Sequence, residues 1–130
     1  MTGRGRAVTV LIVDDESGIT AMLADRLAHS GYLTLVAETA ERAMELVRQR
    51  PPELIITDLY MPQIDGGTFV KMLREEGYEI PVIMMSAGIE GELAAIRAHA
   101  SGFLEKPFNM NRAVEAVEKA LESIGIEAPG

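Results

Sequence analysis

Short apolar runs alternate with helix-period segments five times along this chain, and that alternation constrains its fold more than any other feature. The runs cover residues 7–13, 33–37, 54–57, 80–85 and 102–104. They are rich in Val, Ile and Leu and mostly lack polar alternation, the pattern of strands covered on both faces of a parallel sheet. Between them the apolar residues recur at helical spacing: Ile19, Met22, Leu23 and Leu27; Ala40, Ala43, Met44 and Val47; Phe69, Met72 and Leu73; Leu93 and Ile96; Val114, Val117, Leu121 and Ile124. Ser17, Thr39 and Asn109 are placed to cap helix N-termini, and Gly31, Gly77 and Gly125 to end helices. Pro51-Pro52 closes the second helix, and Pro81 opens the fourth strand, where a missing N–H is tolerated.

The order βαβαβαβαβα, with short loops and no internal repeat, predicts an α/β, doubly wound, five-stranded parallel sheet with five helices distributed over both faces. In the flavodoxin-like strand order 2-1-3-4-5, β1 and β3 are neighbours at the switch point, and ligands bind beyond the carboxyl ends of the strands. At 130 residues the chain reads as one domain, spanning residues 1–130 with a core of about 8–124.

Twelve Lys and Arg against twenty Asp and Glu leave a net charge of −8. A domain this acidic is repelled by phosphate backbones and anionic lipid, so no direct nucleic-acid or membrane partner is expected. Cysteine is absent, which removes disulfide scaffolds, thiolate metal sites and cysteine nucleophiles. Residues 1–13 superficially resemble a signal peptide. The apolar part is short, however, ends in Asp14-Asp15-Glu16 and offers no small-residue cleavage site, so it is read as a strand in a cytoplasmic protein, with Arg4 and Arg6 in a solvated tail.

Four polar features fall at the carboxyl ends of the runs: Asp14-Asp15, Asp58, Ser86 and Lys106-Pro107. Neighbouring strands lie ~4.8 Å apart, which places Asp58 beside Asp14 and Asp15. Two unit charges ~4 Å apart repel by ~4 kcal/mol at an effective dielectric near 20, so one carboxylate holds a proton or a cation fills the gap. A hard cation with oxygen ligands is the simpler solution, and Mg²⁺ suits a few carboxylates plus phosphate and water. The long stem of Lys106 can carry its charge over this pocket, and Ser86 can donate a hydroxyl hydrogen bond. Metal, lysine and hydroxyl around one carboxylate make a receptacle for a phosphoryl group, with an aspartate as nucleophile forming an acyl phosphate. Each residue alone also has an ordinary explanation as a helix cap or solvated charge. His29 and His99 are read as surface residues near helix ends, and the methionines as core fillers.

The segments Val13-Asp14-Asp15-Glu16, Thr57-Asp58-Leu59-Tyr60-Met61-Pro62 with Asp65-Gly66, Ser86-Ala87, and Phe103-Leu104-Glu105-Lys106-Pro107-Phe108 together resemble the receiver domain of two-component response regulators. The resemblance implies that Asp58 is the phosphoacceptor, charged by a histidine kinase or phosphotransfer protein. It implies Asp15 as direct Mg²⁺ ligand, Asp14 acting through water, and Asp58 with the backbone carbonyl of Tyr60 completing the protein's share. Lys106 would pair with phosphoryl oxygens, a cis peptide bond before Pro107 would place it, and Ser86 would move in to bond the phosphate. Phe103 would be the switch aromatic, and the face of the fourth helix, fifth strand and fifth helix would repack towards a downstream protein target or attached output domain. The resemblance implies a signalling switch and not a metabolic enzyme.

Three features depart from the family's common pattern. Phe103 lacks the hydroxyl of the commoner Tyr, the stretch from Ser86 to Lys106 is about two residues short, and Tyr60 is bulky for a position that in this family tunes dephosphorylation. Two other readings compete: a receiver-like interaction scaffold that no longer accepts phosphate, and an aspartyl-nucleophile phosphatase of the haloacid-dehalogenase type. The second lacks the expected Asp two positions after its nucleophile, since Ser17 and Glu16 stand there. A dinucleotide-binding fold lacks its Gly-rich turn after the first strand.

Overall fold

The computed structural model describes residues 7–129. The tail with Arg4 and Arg6 lies outside the described residues. The elements follow the expected alternation: β1 Thr9–Val13, α1 Ser17–His29, β2 Leu33–Ala37, α2 Ala40–Gln49, β3 Leu54–Asp58, α3 Gly66–Glu75, β4 Val82–Ser86, α4 Ile89–Arg97, β5 Gly102–Glu105 and α5 Met110–Glu122. All strand pairs are parallel, in the order β2-β1-β3-β4-β5. No helix of the described residues is long and apolar enough to cross a membrane.

Side-chain alternation along the strands builds one core on each side of the sheet. Leu11, Val13, Ile55, Val82 and Met84 pack with Ala43, Met44 and Val47 of α2, Phe69 and Leu73 of α3, and Ala95 of α4. Val10, Ile12, Ile56, Ile83 and Met85 pack with Leu23 and Leu27 of α1 and Ala113, Val117 and Leu121 of α5. Each such fully buried large aliphatic side chain stabilises the fold by ~1.5–3 kcal/mol in transfer free energy. The buried central strands therefore read as continuous apolar runs.

Several boundaries and faces differ from expectation. β1 begins at Thr9, although Val8 is still buried and its carbonyl accepts from Leu33 N at 2.9 Å. β4 begins after Pro81, whose carbonyl accepts from Ile55 N at 3.0 Å, and β3, β4 and β5 each run one residue further than their apolar runs. Ser17 is the first residue of α1 and not its cap. Glu16 holds the cap position, and its N–H is taken by Asp14 Oδ1 at 3.0 Å. Thr39 and Asn109 do cap α2 and α5, accepting from the amides of Arg42 and Arg112. Asp65 caps α3 in the same way through Thr68 N. Gly31, Gly77 and Gly125 adopt positive φ at helix ends, as does His99 after α4.

The apolar stripes of α1, α4 and α5 are only partly buried. In α1 Thr20, Leu23 and Leu27 are buried while Met22 is 60% exposed, and Thr20 Oγ1 donates to Glu16 O one turn back. Ile124 is also exposed. In α4 the expected stripe is outermost: Leu93 and Ile96 face solvent with Ile89, and the residues buried beneath are Gly91 and Ala95. Small residues let this helix lie close to the sheet, so the larger side chains have nowhere to go but outward.

Candidate functional site

Register brings the polar features to one edge. Val13 pairs with Thr57, which sets Asp14 beside Asp58; Asp58 pairs with Met85, and Ser86 with Glu105. The strand ladder continues through Asp14 N, which donates to Ala37 O at 3.0 Å, and through Lys106 N, which donates to Ser86 O at 2.8 Å. The peptide bond between Lys106 and Pro107 is cis, as the resemblance implied. Behind Asp58, the loop to α3 folds back so closely that a Cβ on Gly66 would lie 2.5 Å from the Asp58 carbonyl oxygen.

Lys106 is the hub. Its Nζ lies 3.2 Å from Asp58 Oδ1, 3.3 Å from Glu16 Oε1 and 3.7 Å from Asp14 Oδ2. Asp14 is fully buried and Asp58 nearly so. Burial pushes the carboxyl groups of both above the ordinary value, and the nearby Lys106 ammonium only partly opposes this. Burial alone would lower the Lys106 pKa, but Asp58 and Asp14 outweigh it and raise the value, so the ammonium stays charged.

The donor set fits a divalent cation. Oxygen atoms of Asp14, Glu16 and Asp58 all lie within 4.8 Å of one another. Asp14 Oδ2 is buried and has no hydrogen-bond partner, with only the Lys106 ammonium 3.7 Å away to offset its charge. Three carboxylates against one ammonium leave two negative charges, which a hard dication with oxygen ligands balances.

Asp15 is exposed and stands outside this close group, while Glu16, which the sequence did not single out, stands within it. Glu16 was legible only as part of the Asp-Asp-Glu run; its inward reach depends on how α1 starts. Ser86 is buried at the end of β4, and its Oγ donates to Ala87 O at 3.2 Å, with no bond to Asp58. Tyr60 is 60% exposed. Phe103 is half-buried against the α2–α3–α4 core.

A family description of the response regulator receiver domain matches residues 10–118. This chain is a response regulator receiver domain. It is 38% identical over 119 residues to the nitrogen assimilation regulatory protein NtrX of Azorhizobium caulinodans, covering 88% of this chain and 26% of that protein. The chain thus spans about a quarter of that relative's length. It is 34% identical over 115 residues to the chemotaxis protein CheY of Bacillus subtilis, covering 86% of this chain and 96% of that one. The receiver domain of NtrX from Brucella abortus superposes with a TM-score of 0.83 at 34% identity, covering 88% of this chain and 98% of that structure. The receiver is a phosphoaccepting signalling module, and its acidic pocket has the donor set for a divalent metal.

Proposed function

We propose that Asp58 is the phosphoacceptor of this receiver and that Mg²⁺ is its metal. The observation that carries the reading is Asp58 at a strand end, 3.2 Å from the half-buried Lys106 ammonium and beside a buried Asp14 carboxylate oxygen that makes no hydrogen bond. A carboxylate oxygen of Asp58 attacks the phosphorus of a phosphohistidine on a histidine kinase or phosphotransfer protein. A P–O bond forms, the P–N bond breaks, and the imidazole leaves. Lys106 meets the phosphoryl oxygens with its ammonium. Asp15, Asp58 and the Tyr60 carbonyl, with Asp14 acting through water, would hold Mg²⁺, which would offset the phosphoryl charge. Ser86 turns from Ala87 O to the phosphoryl oxygens, and Phe103 and the face of α4, β5 and α5 repack.

That face then serves a downstream protein target or attached output domain in the cytoplasm. The switch is reset by hydrolysis of the acyl phosphate and is not consumed in metabolic turnover, and residues 1–130 act as one unit.

The test is incubation of the protein with acetyl phosphate, with Mg²⁺ or with a chelator. Intact mass is expected to rise by one phosphoryl group only with Mg²⁺, and the adduct to be lost under alkali. No uptake under either condition would favour the scaffold reading. Asp15→Asn is expected to weaken Mg²⁺ binding by at least ~10-fold, measured by calorimetry beside Glu16→Gln. Unchanged affinity in Asp15→Asn with a loss in Glu16→Gln would transfer the ligand role to Glu16. Tyr60 is exposed two residues beyond Asp58 and shields the acyl phosphate from water in this reading. Tyr60→Asn is accordingly expected to shorten the lifetime of the phosphorylated protein several-fold, followed by loss of the adduct mass over time.

A further inference from the structure

Helix α4 rests on the end of β4 through a contact that only glycine permits. A Cβ built on Gly91 would stand 2.5 Å from Ser86 Oγ, still closer to Ser86 Cβ, and 3.4 Å from Phe103 Cε1. A hydroxyl can rotate away from such a clash, but the Cβ clears it only when the backbone at the end of β4 moves with it. Helix and Ser86 therefore hold their present positions only while residue 91 carries no side chain.

The same helix is lightly fastened at that end. Its cap, Gly88, has φ 82° and supplies no side-chain hydrogen bond, and the only buried residues of α4 are Gly91 and Ala95. The first turn is closed by Gly91 N donating to Gly88 O at 3.2 Å. A glycine inside the first turn, as Gly91 is, makes a poor helix former, about 1 kcal/mol worse than alanine in a helix interior. On the far side of the helix Ile89, Leu93 and Ile96 are exposed, so a shift of α4 moves an apolar row on the surface.

We propose that Gly91 is the positioning residue that couples Ser86 to α4. In the resting receiver the bare Cα of Gly91 seats the helix on Ser86. Withdrawal of Ser86 towards the phosphoryl group, carrying its backbone and Cβ with it, removes that seat, so α4 responds to Ser86 by direct contact and not solely through Phe103. The proposal rests on the phosphoacceptor reading above. It also fixes a sign: a methyl group at residue 91 is excluded while Ser86 holds its resting place and is admitted once Ser86 has moved, so Gly91→Ala favours the switched packing.

The experiment compares amide NMR spectra of the parent, Gly91→Ala and the double variant Gly91→Ala/Ser86→Gly. The parent is also recorded with Mg²⁺ and beryllofluoride, an analogue of the phosphoryl group. Resting Gly91→Ala is expected to shift its α4 and Phe103 signals along the line from the free to the beryllofluoride-bound parent. It is also expected to bind beryllofluoride about fivefold more tightly, because less of the affinity is lost to a sparsely populated competent state. Ser86→Gly removes the atoms that clash and is expected to return the α4 signals to their parental positions. Parental α4 and Phe103 shifts in Gly91→Ala would overturn the proposal, as would a double variant that keeps the single variant's perturbation. If Gly91→Ala fails to fold, a folded double variant supports the contact and an unfolded one overturns it. A parent that binds no beryllofluoride would instead overturn the phosphoacceptor reading, and a double-mutant cycle of unfolding midpoints across residues 86 and 91 would still report on the contact itself.

Discussion

Asp58→Ala is expected to abolish phosphoryl uptake from acetyl phosphate while making the metal-free protein more stable. The first effect follows from chemistry: the methyl group has no oxygen with which to form an acyl phosphate, and the next acid in the pocket, Asp14, is fully buried. The second follows from the environment of the carboxylate. Burial, and then the neighbouring Asp14, hold the Asp58 carboxyl above its ordinary value of 3.8 despite Lys106. A carboxyl group raised in this way binds more protons in the folded than in the unfolded chain. Its stabilising contribution is thus complete below pH 3.8 and is lost as pH rises through the folded value, leaving a cost at neutral pH. Removing the group removes that cost. A rise in Tm of roughly 4 °C at pH 7.5 in chelator is expected, about what ~1 kcal/mol gives in a domain of this size. Mg²⁺ is expected to stabilise the parent by ~2.7 kcal/mol at a hundredfold excess over Kd, raising its Tm, and to do little for the variant. Phosphoryl uptake that survives in Asp58→Ala would overturn the assignment of the acceptor.

Lys106→Met is expected to act in the opposite sense on stability. Methionine keeps the stem and its packing but leaves Asp14, Glu16 and Asp58 with no opposing charge. Breaking a buried ion pair by removing one partner costs ~3–5 kcal/mol. The Lys106 side chain is 18% exposed, so a loss of ~2–3 kcal/mol at pH 8 in chelator is expected, read from urea unfolding. The loss should shrink as pH is lowered towards 5, because both carboxyl groups titrate above their ordinary value and rise further without the ammonium. Saturating Mg²⁺ should recover most of it. Phosphoryl uptake should slow by ~10²–10³, the usual effect of deleting one donor to a developing phosphoryl or oxyanion charge. In the parent, the stability that Lys106 contributes is complete below pH 10.5 and is lost only as pH rises through its raised folded value. A Lys106→Met protein as stable as the parent at pH 8 without metal would refute this electrostatic account.

Much of this protein was determined by local sequence. Unbroken Val, Ile and Leu runs such as β1, β3 and β4 suit strands covered on both faces, and their alternation with amphipathic segments leaves few parallel topologies. The strand ends could therefore be located, and with them Asp14, Asp58, Ser86 and Lys106, because residues at the same edge of a parallel sheet are brought together by register alone. Caps at Thr39 and Asn109 were legible because a cap bonds within three residues of itself.

What depends on the rotation and seating of helices was decided only by the tertiary structure. Glu16 joins the acidic pocket and Asp15 does not, because α1 begins with Asp14 taking the Glu16 amide. Leu93 and Ile96 have the spacing of a buried stripe yet face solvent, because α4 meets the sheet through Gly91 and Ala95. Apolar spacing tells which residues share a face, but not which face lies against the sheet when a small-residue face can come closer. That choice is settled by close packing between segments distant in the chain.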